Sequence, residues 1–215
     1  MPELDFHVLG AEPERHAAAP TLNFKLAIRQ AAAAVPIQSV SLQCQIRIET
    51  QRRTYQPQEQ ERLSDLFGEP ERWSETLRGM LWSHLHVTVP PFETDCVVDL
   101  PVPCSFDFNL GATKYFHGLQ HGEVPLLLLF SGSIFCRDAD DALSMELISW
   151  QKEARYRLPV EVWRGMMELY YPNQNWLCVN RQVFEALYEH KRRQGYTGFD
   201  ETLLSLLPVA RKRAS

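Results

Sequence analysis

Four of the chain's seven histidines fall at spacings that can hold a metal. In "HLH" the imidazoles of His84 and His86 share one side of an extended strand, because residues two apart point the same way. In "HGLQH" His117 and His121 stand one turn apart if the segment is helical. Together they could form a four-His site, the basis of a metal-dependent enzyme or a metal carrier. The same residues also have a plainer reading. His84, His86 and Thr88 form the wet face of a strand whose dry face is Leu85, Val87 and Val89, and Gly118 and Gly122 weaken a helix at the second pair. No carboxylate stands near either pair to orient the rings.

The remaining reactive groups offer less. The cysteines, Cys44, Cys96, Cys104, Cys136 and Cys178, are odd in number and scattered, with no C-x-x-C, which argues against a disulfide framework and against a cysteine zinc site. Reduced, mostly buried thiols are expected, and Cys136 or Cys178 could act as a nucleophile only with a base nearby. "DADD" (138 to 141) lacks the spacing of a calcium loop, and "GATK" lacks the second glycine and the Lys-Ser/Thr pair of a phosphate loop. G-x-G-x-x-G, H-E-x-x-H and G-x-S-x-G are all missing, so the sequence implies no cofactor and assigns no catalytic residue. Two groups suit binding better. Arg52, Arg53 and Tyr55 make a local basic patch, and Tyr170, Tyr171 and Trp176 crowd aromatic rings around a turn, as interface anchors often do.

These side chains must be positioned by a chain of 215 residues, enough for one domain with a sizeable core. A net charge of -5 and 45% hydrophobic residues suit neither a nucleic-acid binder nor a disordered chain. The acidic opening "MPELDFHVLG" does not read as a signal peptide, so a cytoplasmic protein is expected. Apolar residues run unbroken only over 124 to 130, far short of the ~20 that a membrane helix needs.

Period-two alternation marks strands at "LDFHV", "TLNFKLAI" and "SLQCQIRIE", each with one dry face, and "AAAAVP" joins the last two. Helical spacing follows. Pro57 to Phe67 forms a first helix ended by Gly68, and Trp73, Leu77, Met80 and Leu81 form the stripe of a second, expected to pack on the outer face of a sheet. Strands resume with "LHVTV", "CVVDLPV" and "SFDFNL", kept short by prolines. In "VPLLLLF" alternate leucines point both ways, so this strand is expected to be central and covered on both faces, with "ALSMELISW" as its partner. The last third is helical: Pro159 to Tyr170, then a helix capped by Asn180 and ended by Gly195, then one closed by Pro208.

The segments "LQCQIRIETQRR", "LFGEPERW", "VDLPVPCSFDF", "GEVPLLLLFSG" and "KEARYRLPVEVW" followed by "LYYPN" make the chain resemble, over nearly its whole length, an uncharacterised bacterial family associated with gene clusters of high-affinity uptake nickel-iron hydrogenases. No residue role carries over. The resemblance implies context: an accessory or partner protein serving a redox enzyme, such as a hydrogenase or its maturation machinery.

The expected fold is mainly β with flanking helices, an antiparallel β-sandwich of immunoglobulin-like or related type with about seven to eight strands. The sandwich occupies 1–158, with a helical insertion at about 56–81. A C-terminal helical layer, 159–208, packs on it as one structural unit, and 209–215 fray. The expected function is a non-catalytic interaction protein, with the His-based enzyme or carrier and a small-ligand binder as alternatives.

Overall fold

Alternating apolar residues build eight strands in the computed structural model, which describes residues 3–30, 35–107, 109–137 and 142–207. In chain order the strands are β1 (Leu4–Pro13), β2 (Thr21–Gln30), β3 (Ile37–Ile48), β4 (Met80–Val89), β5 (Asp95–Pro103), β6 (Glu123–Arg137), β7 (Leu143–Leu147) and β8 (Glu153–Pro159). One sheet has the order β1-β2-β5, and the other runs β4-β3-β6-β7 with β8 also on β6. Every pairing is antiparallel.

The dry faces of the two sheets meet in a sandwich. Leu4, Phe6, Leu22, Phe24, Leu26 and Ile28 of the first sheet are buried, as are Leu42, Cys44, Ile46, Leu126, Leu128 and Phe130 of the second. Phe6 stacks on Phe130 with ring centroids 4.2 Å apart, and Phe24 meets Trp82 edge-on at 5.9 Å, so the sheets touch through rings.

Six helices complete the described residues: α1 (Pro57–Phe67), α2 (Trp73–Thr76), α3 (Leu110–Gly118), α4 (Val160–Tyr170), α5 (Arg181–Gln194) and α6 (Phe199–Leu206). The first three and α4 join the core through its interior. A relay of rings leads from Phe24 through Trp82 to Phe116 of α3 at 4.9 Å and on to Trp163 of α4 at 5.1 Å. The outer face of the larger sheet, expected to lie under a helical stripe, instead stays open to solvent at Gln43, His84, His86 and Thr88.

Other local expectations shift for physical reasons. The second insertion helix is only α2, because Met80 and Leu81 leave the helical stripe to pair with Ile48 and Arg47 of β3. Phe106 and Asp107 form a turn where a strand was expected. Asn109 then caps α3: its Oδ1 accepts from the Ala112 N–H at 3.0 Å, and its Nδ2 donates to the Trp82 carbonyl at 3.0 Å. Leu127 and Leu129 on the second face of β6 are half-buried rather than covered by helices. They sit between Arg47 and Arg155 and between Gln45 and Glu153 in the ladder, whose aliphatic stems shelter them. The expectations for Ala31–Ala34, Phe108, the 138–141 turn, Pro208 and the 209–215 tail lie outside the described residues.

The chain divides into two compact units, Met1–Gln174 and Asn175–Ser215. The first holds the sandwich with α1 to α4. The second holds α5 and α6, where Asn180 Oδ1 accepts from the Val183 N–H at 2.8 Å and left-handed Gly195 ends α5. None of the described helices is long and apolar enough to cross a membrane.

Candidate functional site

The basic patch forms first in the chain and is largely turned inward. Arg53 and Glu59 are an ion pair at 2.7 Å, their side chains 7% and 2% exposed. The guanidinium also donates to the carbonyls of Glu123 at 2.8 Å and His121 at 2.6 Å. Glu59 accepts the N–H of Gln120 at 2.7 Å and of Gln56 at 3.1 Å, the latter half of a capping box on α1. Burial pushes the Glu59 carboxyl up, but the two N–H donors and Arg53 outweigh it and hold the group below the usual carboxylate range. Tyr55 is buried; its hydroxyl donates to the Thr50 carbonyl at 2.8 Å and lies 2.9 Å from that of Tyr115. Burial raises the Tyr55 phenol to about 12. Only Arg52 of the trio faces solvent, paired with Glu49 at 3.2 Å. Beside it opens a polar cavity of about 710 Å³ lined by Arg52, Arg53, Gln56, His121 and Arg157 among others.

The aromatic group is divided between the two units. Tyr170, at the end of α4, donates its hydroxyl to the Glu14 carbonyl on the β1–β2 connection and so ties α4 to the sandwich. Tyr171 follows α4 in the same unit, and Trp176, half exposed, opens the second.

The four histidines lie on three different parts of the fold. His84 and His86 point outward from β4, with His86 Nε2 2.9 Å from Ser41 Oγ. His117 of α3 sits edge-on to Trp163 at 5.0 Å, where desolvation, and then the charge of Arg164, lower its pKa. His121, past α3, pairs with Glu161 at 3.6 Å. Among the described residues no group of three or more His, Cys, Asp or Glu side chains is gathered that could hold a metal ion. Of the thiols, Cys44, Cys104 and Cys136 are buried and Cys178 is exposed.

A surface that the sequence reading did not single out lies on β7. Alternation there is reversed: Leu143, Met145 and Leu147 face outward at 68%, 57% and 71% exposure. Ser144 and Glu146 instead stand opposite the buried Cys136 and Ile134 of β6. Met145 is registered with Phe135, which extends the apolar row, and Trp150, on the turn after β7, is 84% exposed. A hollow of about 250 Å³, lined by Leu147, Ile148 and Lys152 among others, adjoins this edge. Nothing in the pattern L-x-M-x-L distinguishes an outward row from an inward one.

Among the described residues the other edges carry more charge or proline. β8 carries Arg155, Arg157 and Pro159, β5 carries Asp95, Asp99, Pro101 and Pro103, β1 carries Asp5 and Pro13, and β4 has outward histidines and runs into Pro90 and Pro91. Charge and proline on an edge discourage pairing with another chain. β7 has no lysine, arginine or proline, and its one charged residue is Glu146, opposite Ile134.

Comparisons with known proteins add the following. A family model described as a family of unknown function (DUF6084) matches residues 1–215. No curated protein matches the chain. Among solved structures, the CARDB domain of the PF1109 protein from Pyrococcus furiosus, crystallised in complex with di-metal ions, is similar at 9% identity and a TM-score of 0.28, over 74% of this chain and 92% of that one.

Proposed function

We propose, from the premise that this chain belongs to the DUF6084 family of unknown function, that the protein is a non-catalytic accessory or interaction module that docks through β7. One observation carries the reading: the strand turns its apolar row to solvent on an edge that has no proline and a single charge, Glu146, on its opposite face. A row of leucine and methionine beside an exposed tryptophan has the composition of a binding surface, and the unpaired backbone of an edge supplies direction. The sequence resemblance supplies the setting: a cytoplasmic redox enzyme such as an uptake hydrogenase, or its maturation machinery, which this chain helps to assemble or stabilise.

The test is affinity capture from the native host with the tagged full chain, run beside a Leu143→Lys, Trp150→Ala variant. The expected result is a specific protein retained by the wild type and lost by the variant at equal folded concentration. Equal recovery by both proteins, or no specific protein with either, overturns the reading.

A second reading, binding of a small polar ligand, is favoured by the cavity beside Arg52 and Arg157, where the buried Nε of Arg53 has no acceptor among the described residues. Thermal-shift screening with small dicarboxylates and phosphate esters tests it. A ligand at 100 times its Kd adds about 2.7 kcal/mol, a shift of several degrees. Arg157→Ala should abolish that shift, and its persistence in the variant removes the cavity as the site.

A further inference from the structure

We infer that the occupant of the β7 edge is β7 of a second copy of this chain, paired antiparallel about a two-fold axis through Met145, so that the two larger sheets become one. The inference rests on the reading of β7 as the docking surface and commits that surface to one partner.

The ladder fixes which backbone groups are available. Ile148 N–H donates to the Gly132 carbonyl at 3.0 Å, which sets the phase of the β6–β7 pair. In an antiparallel pair the hydrogen-bonded positions alternate, so Ser144, Glu146 and Ile148 turn their N–H and C=O toward β6. The same groups of Leu143, Met145 and Leu147 therefore face the open edge, and no strand pairs with them among the described residues.

The strand is complementary to itself in one register. With Met145 opposite Met145 of the second copy, Leu143 falls opposite Leu147 and the apolar row continues across the seam on one face. On the other face Glu146 falls opposite Ser144, so no carboxylate meets a carboxylate. A shift of two residues in one direction sets Glu146 against Glu146, and a shift in the other loses a leucine pair. Like charges directly opposite are unfavourable, and opposed apolar side chains are favourable.

Closure agrees with this arrangement. A two-fold contact is isologous, and it consumes the β7 edge of both copies. Assembly therefore stops at two.

The test uses the full untagged chain in size-exclusion chromatography with light scattering. The expected mass is twice the 24.9 kDa of one chain, falling to a single chain in Met145→Lys with an unchanged circular dichroism spectrum. Leu147→Ser serves as a milder variant if the lysine impairs folding. A wild-type monomer throughout about 1 to 100 μM, or a folded variant that stays dimeric, overturns the inference. Photo-crosslinking from a benzoylphenylalanine placed at Leu147 in the native host separates this failure from that of the docking reading. A product of two chains supports the dimer. A product with a different protein overturns the dimer and leaves the docking surface standing, and no product of either kind overturns both.

Discussion

Arg53 and Glu59 are six positions apart, and the pair they make fastens the start of α1 to the loop before β6. Removing one member leaves a buried charge without its partner, so Arg53→Ala is expected to cost about 3 to 5 kcal/mol in urea unfolding. The pH dependence follows from the direction of the Glu59 shift. Its folded-state pKa lies below the unfolded value, so its contribution is complete above about pH 4.3 and is lost as pH falls through the folded value. The stability gap between wild type and Glu59→Gln should therefore be constant near neutrality and narrow in acid, which urea titrations from pH 7 to pH 3 would measure. Burial raises the Cys44 and Cys104 thiols to about 12, whereas Cys178 is exposed. Ellman's reagent should accordingly label Cys178 first in the native protein, and Cys178→Ser should remove the fast phase. Sequence alone located the basic residues but not their direction. Whether an arginine faces solvent depends on a glutamate two turns away and on two carbonyls some 70 residues downstream, and no local pattern encodes that.

At the scale of elements, the alternation of β1, β2 and β3 and the caps of α1 and α5 were legible because each is set by residues within one or two turns. Elements decided by distant partners were not. Met80 and Leu81 have helical spacing yet join β3, and β8 hides in "EARYRLP", where only Ala154 and Leu158 are fully buried beside charged neighbours. Gly132 shows how tightly one such pairing is specified. With φ at +138°, a Cβ there would stand 2.0 Å from the Ser41 carbonyl oxygen of β3, a backbone atom that cannot swing aside. Gly132→Ala is thus expected to destabilise by more than about 3 kcal/mol and to disturb the end of β7, since Ile148, next after that strand, donates its N–H to the Gly132 carbonyl. Equal stability of wild type and variant in urea would contradict that account. β7 itself was legible as a strand. Its reversed facing was not, because facing belongs to the sheet on which a strand lies.

At the scale of the whole molecule, the division after Gln174 predicts that residues 1–174 fold alone. That truncation should keep the β-type circular dichroism spectrum and melt within a few degrees of the full chain, since the core residues of both sheets lie inside it. A fragment of 175–215 is too short to bury a core of its own and should be largely unfolded in isolation. The β-sandwich was foreseeable from strand number and proline-marked turns, whereas the strand order was not. In that order, β2 takes β1 on one side and β5 on the other, although β5 begins about 65 residues later. During synthesis the β1–β2 hairpin emerges first and must wait several seconds for its second neighbour, with Leu22, Phe24, Leu26 and Ile28 bare on one face. The smaller sheet is therefore the part of the nascent chain that a ribosome-associated chaperone would have to shield, and it must be shielded even after β5 completes it, because the sandwich can close only when β6 has emerged and Phe130 meets Phe6.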